Sequence, residues 1–555
     1  MRYAFALALP ALCLLAACRA PEPGAAAPAR APVANGVEAG SSELRIESDV
    51  RFLADDLLEG REAGTRGYQL ASLYVAERMR ALGLEPAGEG GTYFQRVPVL
   101  RAVRAEGGGE LRIQRDGREV ALRDGDDFLP ALNYNSAEAQ VSAPAVFVGQ
   151  GVHAPSLQHD DFRDVDVRGK IAVLFGGAPA RFDNTRRAFY SSQNEKLAEL
   201  VRRGAVGAVF LATDEDEARR PWARAVANRA QPGMRLRGAD GRGIDTFPEL
   251  QVIAQVSAAN AAAVLGRDPA PVFKAVKDGT LAPFELPGTL TLAARTDITA
   301  DESRNVIGRL RASGGATAGE HVAFTAHLDH VGIGTPVDGD AIYNGALDNA
   351  LGIGIMLEAA RELAMQPQRP RRSMLFIALT AEEKGLLGAH WFVRNPTVPR
   401  ESIVANINMD MPVLLVPTRD VVPIGIEHST LRPLVELAAR DVGVELSPDP
   451  SPEETVFVRS DQYAFVRAGI PAVYLKGGVQ AVGDGDARAA EAAFRRDHYH
   501  QPGDDADQPI QYPDAARLAR LNARIGRLVA DKTERPRWND GDFFGERFAP
   551  KSAGP

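Results

Sequence analysis

The amino-acid sequence predicts an α/β fold in which helices cover both faces of a mostly parallel sheet, with a smaller inserted α+β module. Four apolar runs of strand length follow Gly288 and end at Ala326, at Leu379, at Met409 and near Leu475. Helical patterns separate these runs, and strands that alternate with helices predict parallel pairing. The stretch 130–286 has its own alternation of short strands and helices, which predicts the inserted module.

The individual elements follow from apolar spacing along the chain. Helical spacing between Ile46 and Leu58, and again between Leu70 and Met79, predicts two helices before the insert. Inside the insert we predict strands at 145–148, 170–175 and 208–211 and a helix near 194–203; later helices are predicted at about 346–364, 386–393, 431–440 and 515–530. The predicted main domain therefore has two parts, 43–129 and 287–533. The aromatic-rich tail, 534–555, is expected to dock on the body.

The N-terminal residues predict export and attachment to a membrane. A charged residue precedes an apolar stretch at 3–15 that is too short to span a bilayer, which is typical of a signal peptide over 1–17. The ending Leu15-Ala16-Ala17-Cys18 resembles the bacterial lipobox, which implies that Cys18 is lipidated, and Arg19 favours the outer membrane. Residues 18–42 are rich in proline and alanine, as in a tether. We expect an exported bacterial lipoprotein that faces the periplasm or the cell surface.

Composition and charge exclude several classes of function. The formal net charge is −9, and no run of lysine and arginine occurs, so nucleic-acid binding has no electrostatic footprint. Hydrophobic residues make up 45% of the chain and charged residues 25%, which argues against wholesale disorder. The only cysteines are Cys13 and Cys18, so the predicted folded part has no disulfide, no thiolate ligand and no cysteine nucleophile. The groups left for chemistry are oxygen and imidazole.

Five polar motifs lie at strand ends, in the loops that follow them or near the C-terminus. They are Thr325-Ala326-His327-Leu328-Asp329-His330, Asn344-Gly345-Ala346-Leu347-Asp348-Asn349, Thr380-Ala381-Glu382-Glu383-Lys384, Asn406-Ile407-Asn408-Met409-Asp410 and Asp497-His498-Tyr499-His500. Parallel α/β sheets bind ligands beyond the carboxyl ends of their strands, so we expect these motifs to converge. Imidazole and carboxylate together suit zinc and similar divalent ions.

The motifs resemble those of the co-catalytic di-zinc aminopeptidases of metallopeptidase family twenty-eight, clan MH. The resemblance covers about 44–128 and 289–532, including Asp56-Leu57-Leu58-Glu59-Gly60-Arg61-Glu62-Ala63-Gly64-Thr65 near the N-terminus. The insert resembles the protease-associated (PA) domain that interrupts several members. The resemblance implies a peptide substrate and two Zn²⁺ ions.

The resemblance also implies a role for each candidate residue. The expected metal ligands are His327 and Asp410 for one ion, Glu383 and His500 for the other, and Asp348 as the bridge. Glu382 precedes a ligand, so its carboxylate can lie beside a metal-activated water and act as general base. Asp329 is expected to accept the second N–H of His327 and so fix the ring. Tyr499 resembles a tyrosine that stabilises the oxyanion.

Some neighbouring positions depart from the family pattern. Leu347 and Leu351 stand where a second Asp and a small Ser are usual, which predicts a narrower pocket or altered contacts around the ligands. Gln462 replaces a histidine in the segment Arg459-Ser460-Asp461-Gln462. His330 and His498 flank ligand candidates, and we expect them to lie beside the ligands or at the surface.

Alternative functions share much of this pattern. A carboxypeptidase would use the same ligands but needs a basic pocket, and glutaminyl cyclase resembles the same fold with one zinc. A non-catalytic, receptor-like binding protein would keep the fold and lose metal ligands. Because all five ligand positions and Glu382 are present, the sequence favours a zinc exopeptidase that removes N-terminal residues. The sequence makes no prediction of the oligomeric state.

Overall fold

The computed structural model describes residues 40–550. The chain divides between Ser41 and Ser42, and the elements below belong to the part that begins at Ser42. The predicted signal peptide, Cys18 and most of the predicted tether lie outside the described residues. Within the described range, no helix combines the length and the apolar character needed to cross a membrane.

The described residues form 20 strands and 15 α-helices. The strands are β1 Glu85–Pro86, β2 Phe94–Arg115, β3 Arg118–Leu122, β4 Phe128–Pro130, β5 Glu138–Phe147, β6 His153–Ala154, β7 His159–Asp160, β8 Ile171–Phe175, β9 Gly207–Leu211, β10 Gly233–Leu236, β11 Val252–Val256, β12 Phe284–Leu310, β13 His321–His327, β14 Gly332–Val337, β15 Asp340–Tyr343, β16 Ser373–Leu379, β17 Ile403–Asn408, β18 Asp420–Ile424, β19 Glu445–Leu446 and β20 Ala472–Gly477. The helices are α1 Ser42–Leu53, α2 Arg66–Ala81, α3 Asn184–Ser191, α4 Gln193–Arg202, α5 Asp214–Arg219, α6 Trp222–Ala227, α7 Ala261–Leu265, α8 Ala270–Asp278, α9 Leu351–Ala364, α10 Leu387–Arg394, α11 Arg432–Val442, α12 Gln462–Arg467, α13 Ala487–Asp497, α14 Tyr512–Asp531 and α15 Phe543–Phe548.

The central sheet confirms the predicted α/β class. Over residues 40–550 it contains 16 strands, and its main path runs β19-β18-β20-β17-β13-β16-β12-β5-β8-β9-β11-β4. Strands β16, β13, β17 and β20 pair in parallel, and so do β5, β8, β9 and β11. The long strand β12 lies between these two groups and pairs antiparallel with β16 and with β5. Strands β5, β8, β9 and β11 of the 130–286 region therefore continue the same sheet, while β6 and β7 form a separate two-stranded sheet.

Helices pack on both faces of the β16-β13-β17 part of the sheet. Successive side chains of a strand point to opposite faces. Accordingly, Phe324 packs with the core that includes α1, α9 and α14, while its neighbour Ala323 packs with α10 and α12. Because helices cover both faces of this part of the sheet, its polar side chains can gather at the carboxyl ends of the strands.

The C-terminal tail docks on the body through its aromatic side chains. Phe544 in α15 is buried in a cluster with Tyr463 and Phe457, and Trp538 donates a hydrogen bond from Nε1 to the carbonyl oxygen of Gly469 at 2.9 Å. The same helix contacts α3 of the 130–286 region, where the rings of Phe189 and Phe543 lie 5.4 Å apart. The described part of the tail therefore joins the two regions of the molecule.

Candidate metal centre

Three neighbouring strands bring the first candidate residues together. Strand β13 ends at His327, β17 ends two residues before Asp410, and β16 leads into the turn that carries Glu382 and Glu383. Because these strands are parallel neighbours in the order β16-β13-β17, their carboxyl ends lie at one edge of the sheet. His327 Nε2 lies 3.2 Å from Asp410 Oδ1.

Asp348 occupies the centre of the site. Its Oδ1 lies 3.1 Å from His327 Nε2, and its Oδ2 lies 3.2 Å from His500 Nε2. The two oxygens of one carboxylate therefore face two different imidazoles, as a carboxylate that bridges two ions must. On the far side, His500 Nε2 also lies 3.0 Å from Glu383 Oε2. The structure thus brings all five predicted ligands into one cluster.

The turn that carries Asp348 is held from two directions. Asp504 is buried, and its carboxylate accepts hydrogen bonds from the main-chain N–H groups of Leu347 at 2.8 Å and Asp348 at 3.0 Å. Asn349 follows a cis peptide bond and binds the loop of Asp410, donating to the carbonyl oxygen of Met409 at 2.9 Å. These contacts fix the bridge relative to both groups of ligands.

Arg61 supports the same turn from the N-terminal motif. Its guanidinium is buried and donates to the carbonyl oxygens of Leu328 at 2.9 Å and Gly345 at 3.0 Å, and also to those of Leu53 and Asn344. A planar guanidinium with five donors can join several carbonyls at once. The motif around Arg61 is therefore structural support for the ligand loops, a role that the sequence did not reveal.

The residues fit a pair of divalent cations. Within residues 40–550, two groups place their donor atoms within 4.8 Å of one another: His327, Asp348 and Asp410 form one, and His330, Asp348, Glu383 and His500 form the other. Zinc bonds of about 2.0–2.1 Å in a tetrahedron separate ligand atoms by roughly 3.3 Å. The closest observed spacings of 3.0–3.2 Å between donor atoms match this requirement.

His330 lies beside the ligand Glu383, which is one of the two places that the sequence allowed. It is fully buried, and its Nδ1 lies 2.8 Å from Glu383 Oε1, while its Nε2 is buried with no hydrogen-bond partner in the structure. Gly345, with a φ of +63°, leaves room for this ring, because a Cβ there would come within 2.5 Å of it. His330 therefore orients Glu383. His498, by contrast, is half-buried beside Phe494.

The electrostatics of the cluster favour positive charge. Burial alone would raise the pKa of Asp348, but hydrogen bonds from His327 and His500 hold that pKa well below its usual range. Burial would lower the pKa of His500, yet the charge of Glu383 and the hydrogen bond to Asp348 raise it to about 10. The carboxylates thus hold protons on the imidazoles, and the same negative field attracts a dication that can replace those protons.

Asp329 does not make the contact that the resemblance implied. Its carboxylate Oδ1 is 4.0 Å from His327 Nδ1, and the ring N–H donates instead to the main-chain carbonyl oxygen of Asp329 at 3.1 Å. The carboxylate is occupied elsewhere, since it accepts hydrogen bonds from the N–H groups of Glu382 at 3.0 Å and Glu383 at 3.3 Å. A ligand histidine commonly donates its second N–H to a carbonyl as well as to a carboxylate, so the ring remains fixed.

Glu382 belongs to neither ligand group found in the described part of the chain. It is partly buried, and burial raises the pKa of its carboxyl well above the usual range, despite the opposing charge of His327. A carboxylate with a raised pKa beside metal ligands is the kind of group that accepts a proton near neutral pH.

Asp410 is oriented by a hydrogen-bonded chain of side chains. Ser460 Oγ donates to Asp410 Oδ2, and Asn408 Nδ2 donates to Ser460 Oγ at 2.9 Å. Asn408 Nδ2 also donates to Gln462 Oε1 at 2.7 Å, and Gln462 donates to the carbonyl oxygen of Phe457 at 2.9 Å. The glutamine that replaces the family histidine therefore completes this chain without touching a ligand.

The remaining candidates lie at the edges of the cluster. The Tyr499 ring stacks on His500 with centroids 3.9 Å apart, and burial together with the charge of Asp348 raises the pKa of its hydroxyl. Leu347 and Leu351 are fully buried in the hydrophobic core. These two leucines therefore fill the space beneath the bridge and do not line a substrate pocket.

Known proteins with similar sequences or folds agree with this geometry. Residues 305–525 match the sequence profile of peptidase family M28. Two curated proteins described as probable zinc metalloproteases, from Pyrenophora tritici-repentis (strain Pt-1C-BFP) and Pyrenophora teres f. teres (strain 0-1), are each 36% identical to the chain over 76 residues. These matches cover 14% of this chain and 17% and 16% of the two relatives, so the chain spans about a sixth of the length of each.

A solved structure extends the likeness to the whole fold. The aminopeptidase from Aneurinibacillus sp. strain AM-1 is 18% identical, and the match covers 90% of this chain and 98% of that one with a TM-score of 0.51. At this identity the likeness concerns the fold. Together with the profile match, it agrees with the cluster of imidazoles and carboxylates at the carboxyl ends of β13, β16 and β17. Residues 305–525 are therefore similar to the metallopeptidases of peptidase family M28.

Proposed function

We propose that the protein is a two-zinc exopeptidase that removes N-terminal residues from peptides. The observation that carries the proposal is the placement of Asp348, whose two oxygens face His327 at 3.1 Å and His500 at 3.2 Å. Two ions about 3.5–4 Å apart repel each other, and a shared carboxylate between them offsets that repulsion. His327 and Asp410 would hold one ion, and Glu383 and His500 the other.

The protein residues move the proton in the proposed reaction. Zinc held by these residues would supply a water of lowered pKa and Lewis acidity for the scissile carbonyl. Glu382 accepts the proton of that water as the new C–O bond forms, and then delivers it to the departing amine as the C–N bond breaks. The carboxylate of Asp329 accepts a hydrogen bond from the main-chain N–H of Glu382 at 3.0 Å. This contact keeps Glu382 beside the metal ligands, where it can act as a base without being a ligand itself.

Tyr499 is proposed to stabilise the oxyanion. Its ring stacks on His500. Because the pKa of its hydroxyl is raised, the hydroxyl keeps its proton and can donate a hydrogen bond to an oxyanion. A Tyr499→Phe variant should lower kcat and leave the zinc content unchanged. An unchanged kcat would remove Tyr499 from the reaction.

The test combines a metal count with turnover. We expect the purified protein to hold two zinc ions per chain, to hydrolyse leucine p-nitroanilide, and to lose activity under chelation until zinc is returned. Glu382→Gln should keep both ions and lose activity by about 10²–10⁴-fold. The matched control Glu445→Gln alters an exposed carboxylate that pairs with Arg419 at the sheet edge and should retain full activity.

The same assay separates the other candidate functions. Release of C-terminal residues from an N-acylated peptide would identify a carboxypeptidase, and cyclisation of N-terminal glutamine with one zinc would identify a glutaminyl cyclase. Two bound ions with no turnover on any of these substrates would favour a different substrate, and a protein that binds no metal and shows no turnover would favour a binding protein.

We also propose that the chain is an exported lipoprotein anchored through Cys18. The support is the sequence Leu15-Ala16-Ala17-Cys18 after an apolar stretch, because two or more acyl chains hold a protein stably at a membrane. Wild-type protein should partition into the detergent phase, and Cys18→Ser should move it to the aqueous phase. Equal partition of both would contradict the anchor.

The 130–286 region is proposed to be a PA-like insert that borders the entrance to the site. Gln231 Nε2 reaches the carbonyl oxygen of Ile333 at 3.5 Å, and Thr335 reaches that of Ala227 at 3.4 Å, so the region meets the hairpin β14–β15. A bulky Gln231→Trp variant should slow long peptides more than dipeptides. Equal slowing of both would contradict a role in access.

A further inference from the structure

One short segment of the 130–286 region touches the loops that carry two metal ligands. This rim segment, defined as 221–236, contains α6 and β10. It is fixed at one end, because β10 pairs antiparallel with β2, with Gly233 opposite Ala102 and Leu236 opposite Val99. The C-terminal end of the rim segment is therefore part of the sheet.

The first contact of the rim segment is with the loop of His500. Arg224 Nη2 lies 3.3 Å from the carbonyl oxygen of Tyr499 and 3.4 Å from that of His500. His500 has a φ of +54°, a left-handed conformation that costs free energy in a residue with a side chain. Such a conformation persists only where surrounding contacts enforce it. Arg224 supplies such contacts, and Asp504, four residues along, ties the same loop to the main-chain N–H of Asp348.

The second contact is with the loop of Glu383. Lys384 Nζ donates to the carbonyl oxygen of Pro232 at 3.3 Å and pairs with Glu62 Oε1 at 2.8 Å. In the opposite direction, Arg235 Nη1 lies 3.4 Å from the carbonyl oxygen of Lys384. The Lys384 side chain is only 11% exposed, so it is held firmly between the two regions.

The two loops that the rim segment touches carry ligands of the same group. Glu383 and His500 belong to the group that also contains His330, whereas His327 and Asp410 follow strands β13 and β17. Asp410 has its own support from Ser460. Of the two groups of ligands, the rim segment therefore contacts the loops of the group that contains Glu383 and His500.

We propose that the rim segment sets the affinity of the ion held by Glu383 and His500, with Arg224 as a positioning residue. The inference rests on the proposed two-zinc function. Groups that orient ligands commonly change metal affinity by about 10–100-fold when they are removed. Removal of Arg224 lets the His500 loop relax from its left-handed conformation. The affinity for the ion of Glu383 and His500 then falls, and the affinity for the ion of His327 and Asp410 stays unchanged.

The test is stepwise zinc binding to the metal-free full chain, measured by competition with a chromophoric chelator. Wild type should give two dissociation constants, and Arg224→Ala should raise one of them about tenfold while the other stays within twofold. Arg224→Lys, which retains a cationic donor, should recover part of the affinity. The matched control Arg219→Ala removes a guanidinium that pairs with Asp216 in α5, and both constants should remain as in wild type.

A double variant identifies the ion concerned. His500→Ala should leave only one measurable dissociation constant for zinc. Adding Arg224→Ala to this variant should leave that constant unchanged, because effects through a shared group are not additive. Lys384→Met should weaken the same ion as Arg224→Ala. If wild type binds two ions and both dissociation constants are unchanged in Arg224→Ala and Lys384→Met, the role of the rim segment is overturned and the proposed two-zinc function is not. If wild type binds no zinc, the proposed function is overturned with it.

Discussion

The carboxylate of Asp329 accepts the main-chain N–H of Glu382 at 3.0 Å, and this contact joins the end of β13 to the turn that carries the proposed base. Because the same carboxylate also accepts the N–H of Glu383 at 3.3 Å, one side chain orients both the base and a ligand. Asp329 thus acts on the main chain of its neighbours, while its carbonyl oxygen orients His327.

This contact predicts the behaviour of Asp329→Asn. The amide group of asparagine presents an N–H₂ where one carboxylate oxygen was, so one main-chain N–H loses its acceptor. We expect kcat to fall by about 10–100-fold with less than a twofold change in KM. Steady-state kinetics and a zinc count on the same sample provide the measurement. An unchanged kcat would show that the carboxylate does not position Glu382.

The fold and the convergence of ligands could be predicted because both depend on periodic patterns. Apolar runs that end shortly before His327, Glu383 and Asp410 predict that these residues share one edge of the sheet, although the runs leave the order of the strands open. The structure brings the three residues together. The contact of Asp329 could not be predicted, because a spacing of two residues after His327 does not distinguish a carboxylate contact from a carbonyl contact. Arg61 was missed for a similar reason.

The partners of Arg61 are carbonyl oxygens from three separate segments, and a carbonyl has no sequence signature. The continuity of the sheet was also hidden, because the 27 residues of β12 pair with different strands at its two ends. His330 was expected beside the ligands or at the surface, and the sequence does not distinguish between these two places. Its depth is decided by the left-handed turn at Gly345, which only the structure shows.

The support of Asp410 by Ser460 gives a second prediction. Ser460→Ala removes the hydroxyl that donates to Asp410 Oδ2, so the carboxylate is free to rotate away from His327. We expect zinc affinity to fall by about tenfold, measured by chelator competition. Ser313→Ala, in the exposed turn after β12, is the control and should bind zinc as wild type does. Equal affinities of the Ser460→Ala protein and wild type would contradict this role.

Gly345 gives a prediction of stability. A Cβ at this position would lie 2.3 Å from the carbonyl oxygen of Asp348 and 2.5 Å from the His330 ring, at a φ of +63°. We expect Gly345→Ala to lower the free energy of unfolding by at least about 3 kcal/mol, from clash and backbone strain together. Gly117→Ala has a φ of +72° with nothing within 4 Å, so it should cost only about 1–2 kcal/mol. Urea unfolding measures both, and equal costs would refute the clash.

His321 predicts a dependence of stability on acid. Burial lowers the pKa of this imidazole to about 4, from 6.5, and its Nδ1 lies 2.9 Å from Ser402 Oγ. The unfolded chain therefore binds more protons than the folded chain between these values. The stabilisation is fully present above pH 6.5 and is lost as the pH falls through 4, by a total on the order of 3 kcal/mol.

A His321→Gln variant tests this assignment. Glutamine does not titrate, so the free energy of unfolding of the variant should fall less steeply between pH 6.5 and 4 than that of wild type. Urea unfolding at a series of pH values provides the comparison. Parallel curves for the two proteins would show that another group carries the acid dependence.

The central claim is that Asp348 bridges two divalent ions. Anomalous X-ray diffraction at the zinc edge, on crystals of the zinc-loaded protein, tests it most directly. We expect two peaks about 3.5–4 Å apart, one beside each oxygen of the Asp348 carboxylate. A single peak, or none beside that carboxylate, would contradict it.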